Sequence, residues 1–239
     1  MPAQIFAIVT AYNEADRIAA TLAALADAFP RARVLLADDG STDGTARIAA
    51  ALGAHVVRSE RTVGKGEAAT LAASEALSDA RGEAADDAAI FVLCDGDLGM
   101  SAVVLAALAA AVEQGDADIA VAAFSRRVGG GFGFALGFAR WAIRSRCGLQ
   151  TAAPISGQRA LSAQALTDVL PFAHGFGMEI GMTIDAVRAG NRLLEIELDL
   201  EHRASGRTLA GFIHRAHQLA DFVRAYLARG RLARAGRRG

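Results

Sequence analysis

The sequence predicts an α/β protein with a mainly parallel central sheet covered by helices. Three observations carry this. Short apolar runs alternate with helical runs through the first hundred residues, and polar clusters close several of those runs. One run, Phe91-Val-Leu-Cys94, stops abruptly in Asp95-Gly-Asp97. Strands buried on both faces read as continuous apolar stretches, as these do.

Taken in order, Ile5 to Thr10 is a buried-strand pattern, followed by Ala-Tyr-Asn-Glu14 and a helical run from about Ala15 to Ala28. Val34 to Asp39 is the next strand, Gly40 to Gly44 a loop and Thr45 to Leu52 a helix. Ala54 to Arg58 is a third strand, leading through Gly64-Lys-Gly66 into a helix near Glu67 to Ala80. The fourth strand carries Asp95-Gly-Asp97. The second half is less regular, with a strand at Asp118 to Phe124, the glycine-rich stretch Val128 to Gly133 and an apolar-aromatic segment to Ile143. A short strand within Ile155 to Leu161, a helix from about Gly175 to Ala189 and a strand over Leu193 to Leu200 follow. Apolar residues from Leu209 to Leu227 recur at helical spacing and predict a final amphipathic helix, before a basic tail. One domain over 1–239 is expected, in three parts: the regular half 1–100, the less regular half 101–208, and the helix and tail over 209–239.

Composition narrows the function. The 239 residues are 53% hydrophobic, enough for a large core, and a formal net charge of −1 argues against a nucleic-acid binder working by bulk electrostatics. No basic-then-apolar leader opens the sequence, and the apolar run Ala102 to Val112 falls short of the roughly 20 residues that span a bilayer. Cys94 and Cys147 form no CxxC pair. A reducing, cytoplasmic setting is the expectation. Of 25 Lys plus Arg, the only lysine is Lys65, so a compact ammonium rather than a planar guanidinium is expected to matter there.

Ligands of open α/β sheets bind beyond the carboxyl ends of the strands. Thr10–Glu14, Asp38–Asp43, Gly64–Glu67 and Asp95–Asp97 all lie at that rim. In extended backbone Asp95 and Asp97 point to one side, a grip for Mg²⁺ or Mn²⁺, although Asp-Gly-Asp also reads as a polar turn. Metal and Lys65 would neutralise a diphosphate, while Asp38 or Asp39 accepts hydrogen bonds from a ribose or base. The chain has no Walker A motif, no GxSxG elbow and no HExxH. A sugar transferase and a nucleotidyltransferase remain open, with a non-catalytic nucleotide-sugar binding module as a third reading.

Val9-Thr-Ala-Tyr-Asn-Glu14, Asp38-Asp-Gly-Ser-Thr-Asp43 and Asp95-Gly-Asp97, in this order, resemble family 2 type glycosyltransferases with the GT-A fold. Gly64-Lys-Gly-Glu-Ala68, Leu170-Pro-Phe-Ala173, Gly175-Phe-Gly-Met-Glu-Ile-Gly181 and Glu201-His-Arg203 resemble glucosyl-3-phosphoglycerate synthases. Ser156-Gly157 with Arg159-Ala160 is also similar to polyprenyl-phosphate sugar synthases. The resemblance implies Asp95, Asp97 and His202 as metal ligands, Lys65 on the diphosphate, and Ala11, Glu14 and Asp39 around the nucleoside. It places Glu179 near the transferred sugar and the acceptor. Ser156, Gly157 and Arg203, with Arg126 and Arg127 nearby, are the expected acceptor contacts.

The expected donor is UDP-glucose and the expected cofactor Mg²⁺ or Mn²⁺. Phe132 stands where the synthases carry a phosphoglycerate-binding arginine, and Ala204 replaces their asparagine. The expected acceptor is therefore a lipid-linked phosphate or another small molecule, with glucosyl-3-phosphoglycerate synthesis as the alternative. The run Phe132 to Ile143, flanked by arginines, would suit an acceptor at a membrane surface or simply pack as a core helix. Peripheral contact with the inner membrane face and a homodimer are left open.

Overall fold

The computed structural model describes residues 3–82, 88–124, 133–200 and 218–230. The strands are β1 (Ile5–Ala11), β2 (Arg33–Asp38), β3 (His55–Arg58), β4 (Ile90–Asp95), β5 (Ile119–Phe124), β6 (Arg159–Ser162) and β7 (Leu193–Leu198). The helices are α1 (Ile18–Ala28), α2 (Thr45–Ala51), α3 (Lys65–Gly82), α4 (Ala106–Glu113), α5 (Gly133–Cys147), α6 (Ala163–Val169), α7 (Met178–Ala189) and α8 (218–230). Short 3₁₀ turns, Gly99–Leu105 and Gly175–Gly177, lead into α4 and α7.

All strands join one sheet in the order β3-β2-β1-β4-β6-β5-β7. The mainly parallel reading holds with one exception: β6 runs antiparallel to β4 and β5. Register sets the rim. Thr10 pairs with Asp95 and Ala11 with Asp38, so the polar ends of β1, β2 and β4 finish level.

Period-two alternation divides the strands between two cores. Phe6, Ile8, Phe91 and Leu93 face α3, with the Phe6 and Phe91 rings stacked 5.2 Å apart. Ala7, Val9, Val92 and Cys94 face α1 and α4. The inner face of α3 is Ala68, Ala69, Ala72, Ala73, Ala76 and Ala80, small side chains that let the helix lie close against the sheet. A third cluster joins α5, α7 and α8 through Ala139, Ile143, Ile180, Ile184 and Phe222.

Several element ends differ from the sequence reading, which also marks no helix at α4 or α6. Strand β6 starts at Arg159 rather than Ile155, because its pairing with β4 begins where Arg159 meets Leu93. Helix α3 starts at Lys65 itself. The final helix is seen over 218–230; residues 209–217 of the expected helix and the tail at 231–239 lie outside the described residues.

Candidate active site

The Asp95-Gly-Asp97 turn is fixed by its neighbours before any ligand arrives. Thr10 Oγ1 on β1 donates to Asp95 Oδ1 at 3.1 Å, and the Gly96 N–H donates to the Thr10 carbonyl at 2.8 Å. Thr21 Oγ1 donates to the Gly96 carbonyl at 2.8 Å, and an Arg17 guanidinium N–H donates to the Asp97 carbonyl at 3.1 Å. A Cβ at residue 96 would lie 3.1 Å from Ala11 and 3.3 Å from Ile18, so only glycine sits comfortably between the carboxylates.

Lys65, at the start of α3, reaches across the rim. Its Nζ lies 2.6 Å from Asp95 Oδ1 and 2.8 Å from Oε1 of Glu179, in the first turn of α7. Burial works against the ammonium, but the Asp95 and Glu179 carboxylates outweigh it and hold its pKa well above that of an ordinary lysine. Gln158 Nε2 donates to Asp95 Oδ2 at 3.0 Å. Behind the turn, burial pushes the Cys94 thiol up, so it is a packing residue and not a nucleophile.

At the β1–β2 end of the rim, Ala11 ends β1 and is buried. The Glu14 N–H donates to Thr45 Oγ1 at 2.8 Å, and Asn13, at φ 57°, accepts from the Thr42 N–H at 2.9 Å. Asp38 is wholly buried; it accepts from the Ser41 N–H at 3.1 Å and faces Arg58 Nε at 3.3 Å. Asp39 accepts from the N–H groups of Val63 at 2.7 Å and Gly64 at 3.0 Å, tying the loop after β2 to the approach to Lys65. Both aspartates thus organise the loops that form this end of the rim.

The segment on the other side of Asp95 arrives from the opposite direction because β6 is reversed. Gly157 sits against the charged cluster: a Cβ there would come within 2.8 Å of Lys65 Nζ and 3.1 Å of an Asp95 oxygen. Ser156 is 2% exposed, and its hydroxyl has no hydrogen-bond partner among the described residues. Arg126, Arg127, His202 and Arg203 lie outside the described residues.

The structure therefore brings Lys65, Asp95, Glu179 and Gly157 into one cluster, with Asp97 one turn away. Sequence reading missed Thr10 and Gln158 as donors to Asp95 beside Lys65, and Arg159 and Thr183 behind Glu179. Gln158 and Arg159 adjoin the Ser156-Gly157 pair, which was the one available signal.

Among the described residues no three His, Cys, Asp or Glu side chains form a ready metal cluster. Asp95 and Asp97 nevertheless suit Mg²⁺ or Mn²⁺: two hard carboxylates one residue apart leave coordination positions for phosphate oxygens, which such ions take.

Fold and rim together define a nucleotide-sugar transferase of the GT-A type. The chain belongs to glycosyl transferase family 2, whose model matches residues 6–165. It is 29% identical over 221 residues to an undecaprenyl-phosphate mannosyltransferase of Micrococcus luteus, covering 86% of each chain. Among solved structures, it resembles the glucosyl-3-phosphoglycerate synthase of Mycobacterium tuberculosis in complex with Mn²⁺, uridine diphosphate and glucosyl-3-phosphoglycerate. That match has a TM-score of 0.72 and 26% identity, over 95% of this chain and 80% of the other. The same synthase in complex with Mg²⁺ and uridine diphosphate matches with a TM-score of 0.73 at 25% identity, over 95% and 79%.

Proposed function

We propose that the protein transfers glucose from UDP-glucose to a lipid-linked phosphate, with Mg²⁺ or Mn²⁺ held by Asp95, Asp97 and His202. The observation that carries the donor half is the Lys65 ammonium bridging Asp95 and Glu179 at the end of β4. A divalent ion there supplies Lewis-acid neutralisation of the diphosphate. Lys65 adds a second positive charge to the leaving diphosphate as the sugar–oxygen bond breaks. Glu179, buried on the far side of that ammonium, would face the sugar and the incoming acceptor. A phosphate acceptor is already nucleophilic and needs no base to deprotonate it.

The α5–α8 surface and Phe132 support the acceptor half. A phosphate withdrawn from water must meet fixed donors, and Phe132 supplies none where the related synthases have arginine. Helix α5 instead presents Phe134, 91% exposed, and Trp141, 52% exposed, with exposed Arg140 and Arg144 beside them. Trp141 packs 4.9 Å from the Tyr226 ring of α8, and the Arg146 guanidinium lies 3.6 Å from that ring's centre. Exposed aromatics flanked by cations suit the headgroup level of an anionic membrane, where such an acceptor resides. Among the described residues no helix is long and apolar enough to cross a membrane.

The second reading, glucosyl-3-phosphoglycerate synthesis, is favoured by the structural neighbours. Radiolabelled UDP-glucose supplied with polyprenyl phosphate in detergent, or with 3-phosphoglycerate, separates the two. Label moving into the organic phase supports the lipid acceptor; efficient formation of a water-soluble glucosyl-3-phosphoglycerate overturns it.

A further inference from the structure

Arg159 begins β6 with a side chain that is completely buried. Its three hydrogen bonds all go to neutral oxygens. Nε donates to the Ser156 carbonyl at 2.9 Å, Nη1 to Thr183 Oγ1 at 3.0 Å and Nη2 to the Glu179 carbonyl at 3.1 Å. Thr183 Oγ1 in turn donates to that same Glu179 carbonyl at 2.9 Å. Burial pulls the guanidinium's pKa down to about 10, with the Glu179 and Glu195 carboxylates resisting, so it stays charged at neutral pH.

Among the described residues the guanidinium has no direct carboxylate partner; a charge buried in that way is costly, and a well-packed apolar side chain would serve a core better. What Arg159 does that an apolar residue could not is join two separate segments. One is the turn before β6, where Gly157 lies against Lys65 and Gln158 holds Asp95. The other is the first turn of α7, where Glu179 holds Lys65. The far end of the first segment is pinned independently, by Glu195 of β7 accepting from the N–H groups of Ala152 at 2.9 Å and Ala153 at 3.0 Å.

We infer that Arg159 is a positioning residue: its planar fork fixes the spacing between the Ser156–Gln158 turn and Glu179, so that Lys65, Asp95 and Glu179 keep one geometry. It touches no reacting atom; it acts through the backbone of both segments. Lysine keeps the charge but cannot reach three acceptors in fixed directions. The kinetic consequence rests on the proposed sugar transfer, whereas the mechanical link stands apart from it.

Three variants test this: Arg159→Met, Arg159→Lys and Thr183→Val. Amide hydrogen exchange at 155–158 and 176–183 is read beside kcat and KM for UDP-glucose. In both Arg159 variants exchange should rise in the two segments together. The value of kcat should fall on the order of 10- to 100-fold, the effect of slight misplacement, while donor KM moves less than about threefold. Thr183→Val should show the same pattern more weakly, which keeps the test decisive if Arg159→Met does not fold. Exchange rising in only one segment, or kcat unchanged in folded Arg159→Lys, overturns the inference. If the parent protein does not turn over UDP-glucose, the proposed function falls and hydrogen exchange alone decides the role of Arg159.

Discussion

Lys65 Nζ lies 2.6 Å from Asp95 Oδ1, so the ammonium holds an oxygen that a divalent ion would coordinate. Lysine and a bound metal would therefore compete for one carboxylate until a diphosphate gave the lysine another partner. Lys65→Met is expected to tighten Mn²⁺ binding without nucleotide and weaken UDP binding. Each effect should be about tenfold, from the loss of one charge-assisted hydrogen bond. Asp97→Ala should do the reverse for metal, removing the Mn²⁺ enhancement of UDP affinity. Calorimetric titration of Mn²⁺ with and without UDP reads both; unchanged Mn²⁺ affinity in Lys65→Met would sink the competition.

Gly66 backs directly onto the Ala173 carbonyl, with no room for a methyl group. That contact seats the start of α3, and hence Lys65, against the segment leading to Glu179. Gly66→Ala should destabilise the protein by about 3 kcal/mol, since backbone on both sides must shift. Gly53, with φ +86° and open space around it, is the control, and alanine there should cost only about 1 kcal/mol of left-handed strain. Urea unfolding of the two variants compares them; equal losses would show that the close approach is relieved.

The Asp118 carboxyl is held below its ordinary 3.8 by hydrogen bonds from Arg192, which join the start of β5 to β7. A depressed carboxyl pKa adds stability that is complete above the unfolded value and lost as pH falls through the folded one. Asp118→Asn should therefore melt lower than the parent at pH 7. The gap should close as pH drops below 3.8. A gap independent of pH would assign the effect to packing rather than to the charge.

Phe134 and Trp141 lie on one stripe of α5, seven residues apart, with Arg140 and Arg144 alongside. Phe134→Asp combined with Trp141→Asp should cut co-sedimentation with phosphatidylglycerol vesicles at least tenfold and leave UDP affinity within error. Undiminished vesicle binding would remove this face from the acceptor reading.

The rim at the ends of β1, β2 and β4 was legible in sequence because its signals are local. Strands β1, β2 and β4 are continuous apolar runs, and the polar residues that matter follow each run directly. Lys65 was visible as the only lysine. The other side of the rim was not legible to the same depth. Strand β6 is four residues long, and its reversal is decided by pairing with β4, far away in sequence. Arg159 looked like a polar residue in a short strand, and nothing nearby indicated that its guanidinium would be buried behind Glu179. Asp38 looked like a ligand contact by its place at a strand end; the structure buries it against Ser41 and Arg58.

The reversal of β6 also has a bearing on how the protein could be re-engineered. The loops after β1, β2 and β4 leave the rim from strand ends, with Asp39 and Asp97 within them and Lys65 at the helix start that follows β3, so altering their length moves these side chains. The connection from α5 into β6 enters the rim instead, and its end is moored by Gln158 on Asp95 and by Arg159 behind Glu179. Residues 148–155 upstream of that mooring are themselves held to β7, where Glu195 accepts from the N–H groups of Ala152 and Ala153, so a change in this connection reaches the rim through anchors at both of its ends.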